Sequence, residues 1–86
     1  MRFALTPTPG LSTYAAAVAL GRELAANAVA IAGALGHDLH PWSSSPDKPW
    51  RFESACRFCG RLAAADGHAE RTSGAALHDP CTGRLL

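Results

Sequence analysis

Three cysteines and four histidines are the residues of this chain best suited to chemistry, and two of the cysteines lie together in Cys56-Arg57-Phe58-Cys59-Gly60. Two thiolates at that spacing can bite one tetrahedral ion, and the glycine allows a tight backbone turn beneath it. A redox pair is the competing chemistry, but no βαβ pattern surrounds the motif. Redox chemistry would also leave Cys81 unexplained. An odd cysteine count with one close pair is a poor disulfide framework, so the expected compartment is reducing and intracellular. Cys81 is the natural third ligand, and a closed structural site of four then calls for one histidine.

The residues alone leave that histidine open among His37, His40, His68 and His78. Spacing favours His78, because Cys56-x2-Cys59-x18-His78-x2-Cys81 has the form of two ligand pairs. Local geometry counts against it. A second knuckle would use backbone N–H groups to support its first ligand, and Pro80 supplies none. His37 has a different merit: it follows the expected end of a helix, where the chain must turn back toward the cysteines.

Several segments in order carry a resemblance. Gly36-His37-Asp38-Leu39-His40-Pro41-Trp42, then Cys56-x2-Cys59-Gly60, then Ser73-Gly74-x-Ala76-Leu77-x3-Cys81 resemble a family of small zinc-ribbon-like proteins of actinobacteria and their phages. Most members of that family have no assigned function. The match spans residues 36 to 81. The recurring histidine of the family's GHxLxPW segment falls on His37, whereas the position of His78 is not a recurring histidine there. The resemblance therefore implies zinc held by His37, Cys56, Cys59 and Cys81. The helix that precedes the match has no counterpart in it, and His40 stands where a glycine is more usual.

The elements that must position these groups separate by composition. The chain has 86 residues and is 48% hydrophobic, but 18 of its residues are alanine. A domain this small buries roughly 60% of its unfolded surface, so a metal staple would be useful. Residues 1–10 read as an extended Pro/Thr-rich arm, because Pro7 and Pro9 hold their predecessors extended. Residues 11–35 read as one long alanine-rich helix, with Ala17, Leu20, Leu24, Ala28, Ile31 and Leu35 as its apolar stripe. Thr8 with Pro9, or Ser12, could start it, and Gly36 is placed to cap its end.

Residues 36–86 read as a zinc-ribbon-like module. Trp50–Ala55 alternates bulky and polar residues and is expected to enter the knuckle as a strand, with residues 61–66 as its return. Asp66-Gly67 marks a turn, and residues 43–49 carry only turn signals. Trp42 and Trp50 are expected to cover the metal site and the helix end. The expected fold class is therefore α+β: one long N-terminal helix followed by a small β-hairpin zinc module.

Three function classes follow from this reading. A closed shell of three cysteines and a histidine leaves no open position for catalysis, and the acidic residues are scattered, so no enzyme and no small-molecule substrate are expected. The first expectation is a zinc-stabilised interaction protein, of adaptor or structural kind. In it the helix 11–35 associates with a second copy or with a protein partner. Ala17, Gly21 and Ala25, four apart, would let another backbone approach closely. The alternative is nucleic-acid binding by Arg51, Arg57 and Arg61 interleaved with Trp50, Phe52 and Phe58. A net charge of +1 gives that alternative little electrostatic capture. No membrane span is expected, because Arg22 and Glu23 interrupt the apolar run. The expected location is the cytoplasm.

Overall fold

Alanine builds both layers of this fold, and its small side chain decides how close they come. A computed structural model describes residues 11–83. The element order is α1 (Leu11–Ala34), β1 (Ser43–Ser45), β2 (Lys48–Ala55), β3 (Leu62–Asp66), β4 (Arg71–Ser73) and a 3-10 turn at Ala75–Leu77. The protein is α+β, with one long helix packed on a four-stranded antiparallel sheet of order β1-β2-β3-β4. The expected arm 1–10, with the helix starts at Thr8 or Pro9, lies outside the described residues.

The end of α1 is set by Gly36. Its φ of 89° is a left-handed conformation that side chains with a Cβ rarely adopt. Gly36 N–H bonds the Gly33 carbonyl at 3.0 Å, and His37 N–H bonds the Ala32 carbonyl at 2.9 Å. That pair of bonds is a Schellman cap. It satisfies two orphan carbonyls and turns the chain at His37.

The helix buries only the small members of the expected stripe, Ala17 and Ala28. Ala17, Gly21, Ala25, Ala28 and Ala32 are the buried positions, whereas Leu20 and Leu24 are half-buried and Ile31 is exposed. The buried face has rotated toward the smallest residues. A Cβ added at Gly21 would run into the Trp50 carbonyl and the Phe52 ring, and one at Gly67 would run into the Ala17 carbonyl. The close backbone approach expected of Ala17, Gly21 and Ala25 is thus made with the protein's own sheet. The core that results is Ala28, Ala32, Ala63, Ala76 and Leu77, with Leu39 and Trp42 packed against it.

Three further expectations need correction. Residues 43–45, read as turn, pair with β2 as an edge strand, because the Pro46-Asp47 turn folds them back in register with Ser45 opposite Lys48. Trp50 does not lie over the cysteines. It packs edge-on to Tyr14 with ring centroids 6.2 Å apart, and against His68 at 5.5 Å, at the start of the helix. Finally, Arg22 and Glu23 do not prevent Tyr14–Ala34 from being long and apolar enough, by length and composition, to cross a membrane. One face of that helix is committed to the sheet.

β2 and β3 set the knuckle. Arg51 pairs with Asp66 at one end of the ladder and Ala55 with Leu62 at the other, so the chain from Cys56 to Arg61 forms the connecting loop. At the opposite end Asp66 Oδ1 accepts the His68 and Ala69 N–H groups, at 2.8 and 2.9 Å, and closes the turn into β4.

Candidate metal centre

Each of the four residues in the cluster is delivered by a separate local device. His37 follows the Schellman cap. Cys56 follows β2, where it bridges to Leu39 and donates its N–H to the Arg61 carbonyl at 2.9 Å. Cys59 lies in the turn that follows. Gly60, with φ 80°, closes that turn by donating to the Cys56 carbonyl at 2.9 Å. Cys81 arrives after the 3-10 turn, and its N–H binds the Leu35 carbonyl at 2.9 Å, next to the helix cap.

The donor atoms of His37, Cys56, Cys59 and Cys81 all lie within 4.8 Å of one another, so the cluster could hold a metal ion. Cys56 Sγ is 3.8 Å from Cys81 Sγ, and Cys59 Sγ is 3.4 Å from His37 Nδ1. The site is recessed: His37 is 6% exposed and Cys56 2%. All four residues named from the sequence are brought together. His78, the spacing-based competitor, is exposed beyond the 3-10 turn, His40 is exposed, and His68 is exposed and packs at a tilt against Trp50.

Hydrogen bonds prepare the sulfurs and the imidazole for their roles. His37 Nε2 lies 2.6 Å from the Asp79 carbonyl oxygen. A carbonyl only accepts, so Nε2 carries the proton and Nδ1 is left free toward the sulfurs. Burial would push the His37 pKa down, but the Asp79 carbonyl and the Cys56 and Cys59 sulfurs outweigh it and raise it. Burial likewise opposes ionisation of Cys56. The N–H groups of the turn and the His37 side chain overcome that and lower the thiol to about 5. The Phe58 N–H contributes at 3.4 Å from Cys56 Sγ. Cys59 is lowered too, against its burial, by backbone and side-chain bonds from Arg61. Cys81 is raised, by burial first and then by the two neighbouring sulfurs. Two sulfurs thus ionise more readily than a free thiol, while the third resists a further negative charge beside them.

The arginines that suggested nucleic-acid contact are paired with acids of the same chain. Arg51 binds Glu53 at 2.7 Å and Asp66 at 3.4 Å. Arg57 binds Asp38 at 3.1 Å, and Arg61 lies 3.7 Å from Asp79. The Arg57 pair, exposed on both sides, lies beside His37, and the Arg61 pair joins the knuckle to the segment that carries Cys81. The sequence reading missed this bracing. Its only trace there is an acid close to each of those two residues, Asp38 next to His37 and Asp79 two before Cys81.

In comparison with known proteins, no family model matches the chain, and neither a curated protein nor a solved structure does so.

Proposed function

We propose that this chain is a non-enzymatic, cytoplasmic interaction protein whose fold is held by zinc in a closed Cys3His site. The observation that carries the reading is the convergence of three sulfurs and one imidazole nitrogen from three separate segments. Zinc–sulfur bonds of roughly 2.3 Å imply a tetrahedral edge of about 3.8 Å between sulfurs, and a sulfur–nitrogen edge of about 3.6 Å. Two edges of the cluster, at 3.8 and 3.4 Å, match those values, and all the donor atoms lie within 4.8 Å of one another. Thiolates and imidazole suit zinc, and four protein donors leave no position for a substrate.

The staple is needed because the alanine core supplies little apolar burial. It joins the end of α1, the β2–β3 knuckle and the segment after the 3-10 turn, which are otherwise linked by a few backbone bonds and by partly exposed contacts of Arg57 and Arg61. The helix supplies the association surface. Val29 and Ile31 are exposed on it, and Arg22 and Glu23 are its two charged residues, of opposite sign. A second copy of the chain therefore meets an apolar surface with no net charge to repel it. Internal pairing of Arg51, Arg57 and Arg61 supports this reading over nucleic-acid binding, because each arginine's charge is already balanced.

Elemental analysis of the purified protein tests the centre of the proposal. One zinc per chain is expected, and a folded, reduced protein without metal would refute it. Sedimentation equilibrium tests the helix: a concentration-dependent mass near twice 9.0 kDa is expected. A monomer at all concentrations, or partition of the protein into lipid vesicles, would overturn self-association.

A further inference from the structure

We propose that Arg61 is the positioning residue of the metal centre, holding three of its four donor side chains in one arrangement and balancing their charge. The proposal rests on the metal-centre reading above.

Arg61 follows the knuckle glycine and leads into β3, so its backbone is tied down on both sides. Its carbonyl accepts the Cys56 N–H at 2.9 Å, which closes the knuckle. From that anchored position the guanidinium reaches three places. Its positive charge faces Cys59 and favours the thiolate there. Nη1 donates to Thr82 Oγ1 at 3.1 Å, and Nε lies 3.7 Å from Asp79 Oδ2. Asp79 and Thr82 bracket Cys81, so these two contacts hold the loop that carries the third sulfur.

Asp79 has a second role. Its backbone carbonyl takes the His37 Nε2 proton and thereby aims Nδ1 at the cluster. Fixing Asp79 from Arg61 therefore also fixes the acceptor that orients His37. One side chain thus acts through its neighbours on Cys81, through Asp79 on His37, and by its charge on Cys59. A lysine could supply the charge but not the planar set of donors that serves all three places at once.

Charge gives the same residue a second effect. Three thiolates and a neutral imidazole around a divalent cation sum to one negative charge. The guanidinium sits where it offsets that charge, in a partly buried setting where solvent screens it less than at the open surface. Arg57, on the other side of the knuckle, pairs instead with Asp38 at a well-exposed position. It is the natural control.

The test loads the full-length chain with cobalt(II), whose thiolate charge-transfer bands report on the sulfurs. Wild type, Arg61→Ala, Arg61→Lys and Arg57→Ala are titrated against a chromophoric chelator. Arg61→Ala is expected to weaken cobalt binding about 10- to 100-fold and to shift the charge-transfer band, as loss of an outer-shell partner does. Arg61→Lys is expected to recover most of the affinity but not the wild-type band. Arg57→Ala should stay within about twofold, as for an exposed ion pair.

An affinity within about twofold and an unshifted band in Arg61→Ala would overturn the proposal, as would an equal loss in Arg57→Ala. If Arg61→Ala does not fold, the lysine variant decides, since a wild-type band there removes the role assigned to the fork. Failure of the wild type to bind cobalt refutes the metal centre itself. Binding by the wild type with an indifferent Arg61→Ala refutes only the role of Arg61.

Discussion

His37 and Asp79, 42 residues apart in the chain, meet through a 2.6 Å contact between Nε2 and a backbone carbonyl. That contact selects the tautomer. With the Nε2 proton committed to oxygen, the Nδ1 lone pair faces Cys59 Sγ at 3.4 Å. The carbonyl belongs to the segment just before Cys81, so the histidine and the last cysteine are positioned by the same loop.

Histidine substitutions should separate sharply. His37→Ala removes a donor and leaves the Asp79 carbonyl without its partner, so zinc affinity is expected to fall by at least about a hundredfold. His78→Ala, at an exposed position beyond the 3-10 turn, should change it little. Competition with a chromophoric chelator measures both. Equal affinities in the two variants would remove His37 from the site.

Metal removal should cost most of the tertiary structure. Apparent zinc binding energies in small modules reach ~10–16 kcal/mol, and here the alanine core offers little to replace them. Chelation should abolish the near-ultraviolet circular dichroism of Trp42, which packs on the core, while α1 keeps part of its helical signal. Cys56→Ser and Cys81→Ser should behave like the chelated wild type. Retention of the Trp42 signal after complete chelation would show that the core stands without metal.

The two glycines inside α1 should respond in opposite directions. Gly33 has open space where a Cβ would go, so Gly33→Ala should stabilise the protein by roughly 0.5–1 kcal/mol through helix propensity. Gly21 faces the Trp50 carbonyl and the Phe52 ring, and Gly21→Ala should destabilise by about 1–3 kcal/mol because backbone must move. Urea denaturation of the zinc-loaded protein reads both. A stabilising Gly21→Ala would contradict the close approach of helix and sheet.

The folded site should be acid-sensitive through its thiolates. Cys56 titrates at about 5 in the fold against an ordinary 9.0. Between those values the unfolded chain binds more protons, so this group adds stability that grows with pH and is lost as pH falls through about 5. Cys59 is shifted in the same direction. His37 acts in the opposite sense: its pKa is raised, so its contribution is full below 6.5 and lost as pH rises past its folded value. Zinc–thiolate ultraviolet absorbance of the loaded protein, followed from pH 8 downward, should therefore persist at pH 7 and fade toward pH 5, while the metal-free chain, having lost the fold, should titrate its thiols near the ordinary 9.0. Loss of the loaded protein's signal already at pH 8 would show that the turn N–H groups do not stabilise the sulfur.

What the sequence determined by itself was local. The knuckle at Cys56-Arg57-Phe58-Cys59-Gly60 and the cap at Gly36 depend on a few neighbouring φ and ψ angles, which glycine permits and other residues resist. The helix from residue 11 needs only alanine and its period. The strands on either side of the knuckle follow from short alternation. The tertiary structure decided the rest. Four histidines were available, and only packing placed His37 beside the sulfurs while leaving His78 in solvent. The sheet also chose which helical face to bury. It took Ala17, Gly21 and Ala25 over Leu20 and Ile31, because the close approach of backbones at Gly21 and Gly67 admits no larger side chain. Seryl residues 43–45 became a strand only because β2 offered an edge, and Arg61 became a brace only because Asp79 was brought across to it. Each of these outcomes joins residues distant in the chain, and no local pattern encodes a contact whose other half is chosen by the packing of the whole.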